Sequence, residues 1–253
     1  MSPFADLYTF RARIQPALAV ALPLGFFMFA VLPGNHFFVT AFFGLLSAAG
    51  GTAVLAQMGR DRGRRKQGEL WDRWGGAPTT RLLRHRRIPG DITMSSELRR
   101  RVEEWWSQPL PTDLDEVADA ESADARYEEV TLALIAATRD KSRFPLVFAE
   151  NANYGFRRNM WGLKPWGLAT AASLALVAWT LFALTVWGRP WPDPWWDVLV
   201  NPDSTAVIRL AVAVANSAFA VFWLLWVKPS WIKLVAEAYA MQLMESVRSL
   251  GRD

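Results

Sequence analysis

Residues 14–57 read IQPALAVALPLGFFMFAVLPGNHFFVTAFFGLLSAAGGTAVLAQ, and this stretch decides the fold class. It contains no Asp, Glu, Lys or Arg, and it is too long for a core helix of a soluble domain. Turn residues at Pro33-Gly34-Asn35 divide it into two apolar segments, roughly Pro16–Leu32 and Phe37–Met58. Each is near the ~20 residues that cross ~30 Å of hydrocarbon at ~1.5 Å per residue. The link from Pro33 to His36 has room only for a tight turn, which predicts a membrane hairpin. Arg11 and Arg13 ahead of an apolar run imitate a signal peptide, but a second apolar run follows where a cleavage site would stand. Pro23 predicts a kink or local thinning in the first span. In the second, Gly44, Ser47, Ala48, Ala49, Gly50, Gly51 and Ala53 suit close helix packing, with a pore lining as the alternative.

The basic stretch Arg60–Arg87, RDRGRRKQGELWDRWGGAPTTRLLRHRR, comes next. It holds ten Lys/Arg against Asp61, Glu69 and Asp72, a net +7 in a chain whose total is +4. Arginines beside apolar blocks point to an anionic lipid surface rather than to DNA. Further along, residues 165–187 and 206–227 form a second pair of apolar runs. The Pro- and Trp-rich link between them carries Trp187, Trp191, Trp195 and Trp196, which fit an interfacial aromatic belt. Arg11, Arg13, Arg60–Lys66, Arg157, Arg158, Lys164, Lys228 and Lys233 fall on one side of a four-span arrangement, and only Arg189 and Arg209 on the other. The positive-inside rule then places both termini in the cytoplasm of a bacterial inner-membrane protein.

The expected fold is therefore all-α and integral to the membrane, with four transmembrane helices in two hairpins and a helical cytoplasmic domain inserted between them. The expected divisions are residues 1–58 (lead-in and first hairpin), 59–164 (cytoplasmic domain), 165–228 (second hairpin) and 229–253 (C-terminal amphipathic helix). Within the polar segment, Pro78-Thr79-Thr80 predicts a Thr-capped helix start. Ser95 or Ser96 predicts the cap of a helix bearing Leu98, Val102, Trp105 and Trp106, ended by Pro109 and Pro111. The acidic run PTDLDEVADAESADA reads as a solvated loop. Residues 123–139 read as a helix with Tyr127, Val130, Leu134 and Ala137 on one face. At the C-terminus, Leu234, Ala238 and Met241 form an expected apolar face that Leu243, Val247 and Leu250 widen, and Lys233 pairs with Glu237.

Catalysis finds little support. Cysteine is absent, which removes thiolate chemistry and Cys-ligated metals. Walker, GxGxxG, HExxH and GxSxG patterns are absent as well. The two histidines, His36 and His85, belong to opposite sides of the bilayer in this topology. Glu103–Glu104 and the acidic run read as solvated surface. The expectation is a non-enzyme with no catalytic residues, no metal and no cofactor.

The candidate binding site is Trp71-x-x-Trp74-Gly75-Gly76, followed by Thr79, Thr80, Arg81 and Arg84. Two glycines allow a close turn, a helix start offers free amides, threonines add hydroxyls, and guanidinium forks suit phosphate. The ligand is either a phosphate-bearing molecule, such as a nucleotide second messenger, or a lipid headgroup. Packing at the membrane interface is the alternative role for the same residues. A second patch comprises Asn153, Tyr154, Arg157 and Arg158, with Asn151 and Asn159 expected to satisfy backbone groups at a bend. It is also a candidate neighbour of the WGG–PTT turn. Inside the spans, Asn216 is expected to bond across helices together with Ser217, and Arg209 to pair with Asp197 or Asp203. The spans are expected to form a homo-oligomer, with a cytoplasmic protein as a further partner.

The motifs WGGAPTTRLLRH and, some sixty residues later, TRDKSRFPLVFAENANYGFRRN resemble those of uncharacterised bacterial membrane proteins with two membrane pairs around a cytoplasmic insert. The layout is similar to that of four-span effectors accompanying nucleotide-signalling antiphage defence systems. The resemblance implies an effector or signalling protein that senses a ligand and perturbs the membrane through oligomerised helices. The other class consistent with the residues is a non-catalytic scaffold that recruits a cytoplasmic partner, with a transporter component third.

Overall fold

A computed structural model describes residues 10–31, 37, 40–41, 44, 50–86, 90–187 and 205–250. Among the described residues every regular element is helical. A π-helical turn at Phe10–Ile14 leads into α1 (Gln15–Val31), followed by α2 (Gly51–Trp74), α3 (Pro78–Leu83) and α4 (Ser96–Trp106). Then come α5 (Asp113–Ala118), α6 (Ala120–Ala137), α7 (Pro145–Trp187), α8 (Thr205–Val221) with a π-helical turn at Phe222–Trp226, α9 (Pro229–Glu245) and α10 (Val247–Leu250). The chain divides into two compact units. One is polar, residues 1–8, 65–157 and 229–253; the other is apolar, residues 9–64 and 158–228.

In the polar unit, the core gathers Leu82 and Leu83 of α3, Leu98 and Val102 of α4, and Tyr127, Val130 and Leu134 of α6. Phe144, Val147 of α7, and Ala240, Leu243 and Met244 of α9 complete it. The C-terminal helix therefore belongs to this core and is not a separate segment. Its buried face is Ile232, Ala236, Ala240 and Leu243, while Leu234 and Ala238 of the expected face stand exposed. α9 is apolar around most of its circumference, so periodicity alone left the face open.

Local chemistry sets the helix ends. Ser95 caps α4 by accepting from the Leu98 amide at 3.2 Å, and Ser107 closes it in a left-handed conformation, two residues before Pro109. The acidic run is helical, contrary to the loop expected. Thr112 and Asp115 form a reciprocal capping box at the start of α5, and Asp119 caps α6 by accepting from the amides of Glu121 and Ser122. Carboxylates in a first helical turn also face the positive end of the helix dipole.

In the apolar unit, α1 packs on α8, with Phe26 and Phe219 rings 5.9 Å apart. α2 and α7 cross at glycines. A methyl group placed on Gly162 would lie 2.6 Å from the Gly63 nitrogen and 2.7 Å from the Gly59 oxygen, so only hydrogen fits there. This Gly59-x-x-x-Gly63 pair is the close-approach device that the sequence reading sought further upstream. The Trp223 ring covers Gly167 in the same way. Lys164 donates to the Leu224 and Val227 carbonyls at 2.9 and 2.8 Å, satisfying acceptors at the end of the π-helical turn.

Among the described residues two helices are long and apolar enough to cross a membrane, α7 and the run Thr205–Trp226, each with a window of mean hydropathy 1.9. α1, with 17 residues, covers about 26 Å. Of the expected second span, α2 contains Gly51–Met58, and most of residues 37–49 lie outside the described residues. So do Met1–Thr9, the Pro33–His36 turn, Arg87, Arg189, Trp191, Trp195, Trp196, Asp197 and Asp203.

Candidate functional site

The Trp71–Arg84 segment folds as a helix end, a glycine turn and a short helix. α2 finishes at Trp74, which is buried, while Trp71 is half-buried one turn earlier. Gly75 and Gly76 adopt φ values of +80° and +130°, conformations costly for other residues, and the Gly76 amide closes the turn by donating to the Trp71 carbonyl. α3 then begins at Pro78, with Ala77 in the capping position and no side-chain cap bond. The expected Thr cap is absent because Pro78 itself starts the helix, leaving Thr79 and Thr80 inside its first turn.

The arginines offered for an anion are already engaged. Arg81 is only 5% exposed and ion-pairs with Asp91 and with Glu237 of α9. Arg84 spends every guanidinium nitrogen inside the unit. Its Nε and Nη2 donate to the two Asp124 carboxylate oxygens at 2.8 and 2.6 Å, and its Nη1 donates to the Gly75 carbonyl at 2.5 Å. Charge-assisted, bidentate pairs of this kind are strong and specific. The two guanidiniums thus fasten α3 and the glycine turn to α6, α9 and Asp91. The six-residue α3 offers no long helix start either.

Behind this segment lies the second network, which sequence reasoning missed. Glu116 of α5, 5% exposed, accepts from the His85 and Arg86 amides at 2.8 and 2.9 Å and from the Tyr127 hydroxyl at 2.8 Å. The Arg86 guanidinium stands 3.3 Å away and also reaches Asp124 at 2.6 Å. Burial pushes the Glu116 carboxyl up, but the two amides, Tyr127 and Arg86 outweigh it and hold the group below the usual carboxylate range. Asp124 behaves likewise, with burial opposed and outweighed by Arg84 and Arg86. Burial, with Glu116 beside it and Arg99 opposing, pushes the Tyr127 hydroxyl up to about 12. The available signal was the Thr112-x-x-Asp115 capping pattern, which makes Glu116 helical and points it at one face.

These elements enclose a cavity of about 540 Å³, within the usual range for small-molecule sites. Trp71 and Gln67 of α2 line it, with Thr79 and Thr80 of α3, Glu121, Asp124 and Glu128 of α6, and Asn151 and Tyr154 of α7. Leu132 and Ile135 of α6 and Ala236 and Tyr239 of α9 supply an apolar portion, where the Tyr154 and Tyr239 rings stack at 6.4 Å. The expected neighbourhood of the WGG–PTT segment and the Asn-rich patch is therefore present. Asn153, however, is exposed, and the patch forms no bend, because residues 145–187 are one continuous helix. Arg157 donates to the Trp231 carbonyl at 2.6 Å and lies over the Trp231 ring. Arg158 falls in the apolar unit, where its carbonyl faces Gly63. Asn159 donates to the Ala12 carbonyl at 2.7 Å.

The polar residues of the apolar unit also differ from expectation. Asn216 bonds its own helix, donating to Val212 at 3.0 Å, and Ser217 makes the cross-helix bond, accepting from the Trp179 indole at 3.0 Å. Arg209 donates to the Thr185 hydroxyl at 2.6 Å. Trp187 is 89% exposed. Compared with known proteins, the chain matches no family model, no curated protein and no solved structure.

Proposed function

We propose that the chain is a non-catalytic sensor and effector of the bacterial inner membrane. In this reading four helices cross the bilayer in two hairpins, and both termini and the polar unit are cytoplasmic. The cavity of the polar unit receives a small ligand, and the apolar helices self-associate and perturb the membrane. The observation that carries the reading is the exposure of the apolar helices. Only 17% and 22% of the two most hydrophobic windows are buried, and Leu176, Leu184, Leu224 and Leu225 stand exposed. A soluble core helix hides such surface, whereas lipid or another copy of the chain covers it here. The one-sided distribution of Lys and Arg supports the orientation. A role in antiphage defence follows from the resemblance of the two motifs and the layout to four-span effectors.

Two measurements test this reading. The chain lacks cysteine, so Ser122→Cys and Ser204→Cys each introduce a single thiol for a membrane-impermeant maleimide. Labelling of intact cells at position 204 and not at 122 is expected, and the reverse refutes the orientation. A potential-sensitive dye should report depolarisation after induced expression, and an unchanged potential refutes the effector role. A scaffold that recruits a soluble protein is the second reading, favoured by Leu114 and Val117, exposed by 76% and 87% on α5. Stable co-purification of a soluble protein with an unchanged membrane potential would select it.

A further inference from the structure

We propose that the cavity of the polar unit binds a small cationic amphiphile, an inference that rests on the ligand-sensing reading above and fixes the sign of its ligand. The cavity follows one face of α6, from Glu121 past Asp124 and Glu128 to Leu132 and Ile135, about 21 Å of helix. Charge is unbalanced at the first end. Asp124 is neutralised by Arg84 and Arg86, but among the described residues neither the Glu121 nor the Glu128 carboxylate makes an ion pair or hydrogen bond. Arg84, the cation of the lining, has every guanidinium nitrogen committed to Asp124 and Gly75. An anion entering here meets two uncompensated carboxylates, and the guanidinium of the lining is already bonded to Asp124 and Gly75. A cation meets attraction from both.

Independent polar and apolar features complete the match. Thr80, 7% exposed, lines the same cavity, and its hydroxyl makes no hydrogen bond among the described residues. The stacked Tyr154 and Tyr239 rings, with Ile135, give the same cavity apolar surface for an aromatic or alkyl body. Carboxylates and aromatic rings in one cavity are what a positive head on an apolar body requires, and electron-rich rings add attraction for the charge.

The test uses the full chain in a neutral detergent and two fluorescent probes, ethidium as aromatic cation and 8-anilinonaphthalenesulfonate as aromatic anion. Saturable ethidium binding is expected, weakened about tenfold in the Glu121→Gln/Glu128→Gln double variant at unchanged thermal stability. Both residues are exposed, so this variant keeps the fold. As a second variant, Ile135→Ala should weaken the cation probe by removing part of the apolar wall. Equal ethidium binding by the wild type and the double variant overturns the proposal. Saturable binding of the anion, weakened by Trp71→Ala, overturns the sign of the ligand and leaves the sensing reading standing. Saturation by neither probe removes both the proposal and ligand sensing at this cavity, while thiol labelling and depolarisation still judge the membrane reading.

Discussion

Glu116 should be the costliest single carboxylate to remove from the polar unit. Glu116→Ala strips the acceptor from the His85 and Arg86 amides, leaves the Arg86 guanidinium with Asp124 alone, and deprives the Tyr127 hydroxyl of one of its two acceptors. Tyr127 keeps the Pro111 carbonyl at 3.0 Å, so its loss is partial. Each orphaned buried donor costs about 1–3 kcal/mol, so the two amides set an expected total of about 4 kcal/mol, and the Arg86 pair, 36% exposed on the arginine side, adds little. Glu116→Gln retains one acceptor oxygen but points an amide donor at other donors, and should cost about 2 kcal/mol. Hydrogen exchange with mass spectrometry gives the direct readout. Peptides covering residues 85–86 and the start of α6 should exchange faster in both variants, more in Ala than in Gln, with the apolar unit unchanged. A Tyr127→Phe/Glu116→Ala cycle should show non-additivity of about 1 kcal/mol. Unaltered protection at residues 85–86 in Glu116→Ala would refute the network as a source of stability.

The remaining predictions concern charge, close packing and the membrane. Because Glu116 and Asp124 are held below their ordinary values of 4.5 and 3.8, the unfolded chain takes up protons before the folded one as pH falls. Thermal stability should therefore be flat above about pH 5 and decline below it, and Glu116→Gln should flatten part of that decline. Arg84→Gln should lose about 2 kcal/mol and raise protease sensitivity at the Gly75–Gly76 turn, since the guanidinium holds both Asp124 and the Gly75 carbonyl. Gly162→Leu drives a side chain into the backbone of residues 59–63 and should cost about 3 kcal/mol in detergent, read as a lower aggregation temperature. Gly68→Leu has open space and should be neutral or slightly stabilising. Asn216 is fully buried with its amide oxygen unpaired among the described residues, so Asn216→Leu should match or exceed wild-type stability.

What the sequence reveals here depends on how far apart the deciding residues lie. Ser95 and the Leu98 amide are three positions apart, and Lys233 and Glu237 four, so the α4 cap and that ion pair were readable from spacing. Arg81 and Glu237 are separated by 156 positions, and Arg84 and Asp124 by 40, so nothing local showed that these guanidiniums would be occupied. A local count of charge therefore misled in a specific way. Arg60–Arg87 carries net +7 and the rest of the chain −3, which reads as a basic patch awaiting an anion. Folding brings Glu116 and Asp124, from a run taken for solvated loop, onto Arg84 and Arg86, and turns part of the patch into internal structure. The excess on the α6 face is then negative, carried by Glu121 and Glu128. Arg60, Arg62, Arg64 and Arg65 belong to the long α2 helix, where the Arg62 guanidinium lies over the Trp166 ring. The two parts of the basic stretch thus separate by the distance to their counter-charges. Where acids come within reach the arginines hold the polar unit together, and Arg62 instead lies over an aromatic ring of the apolar unit.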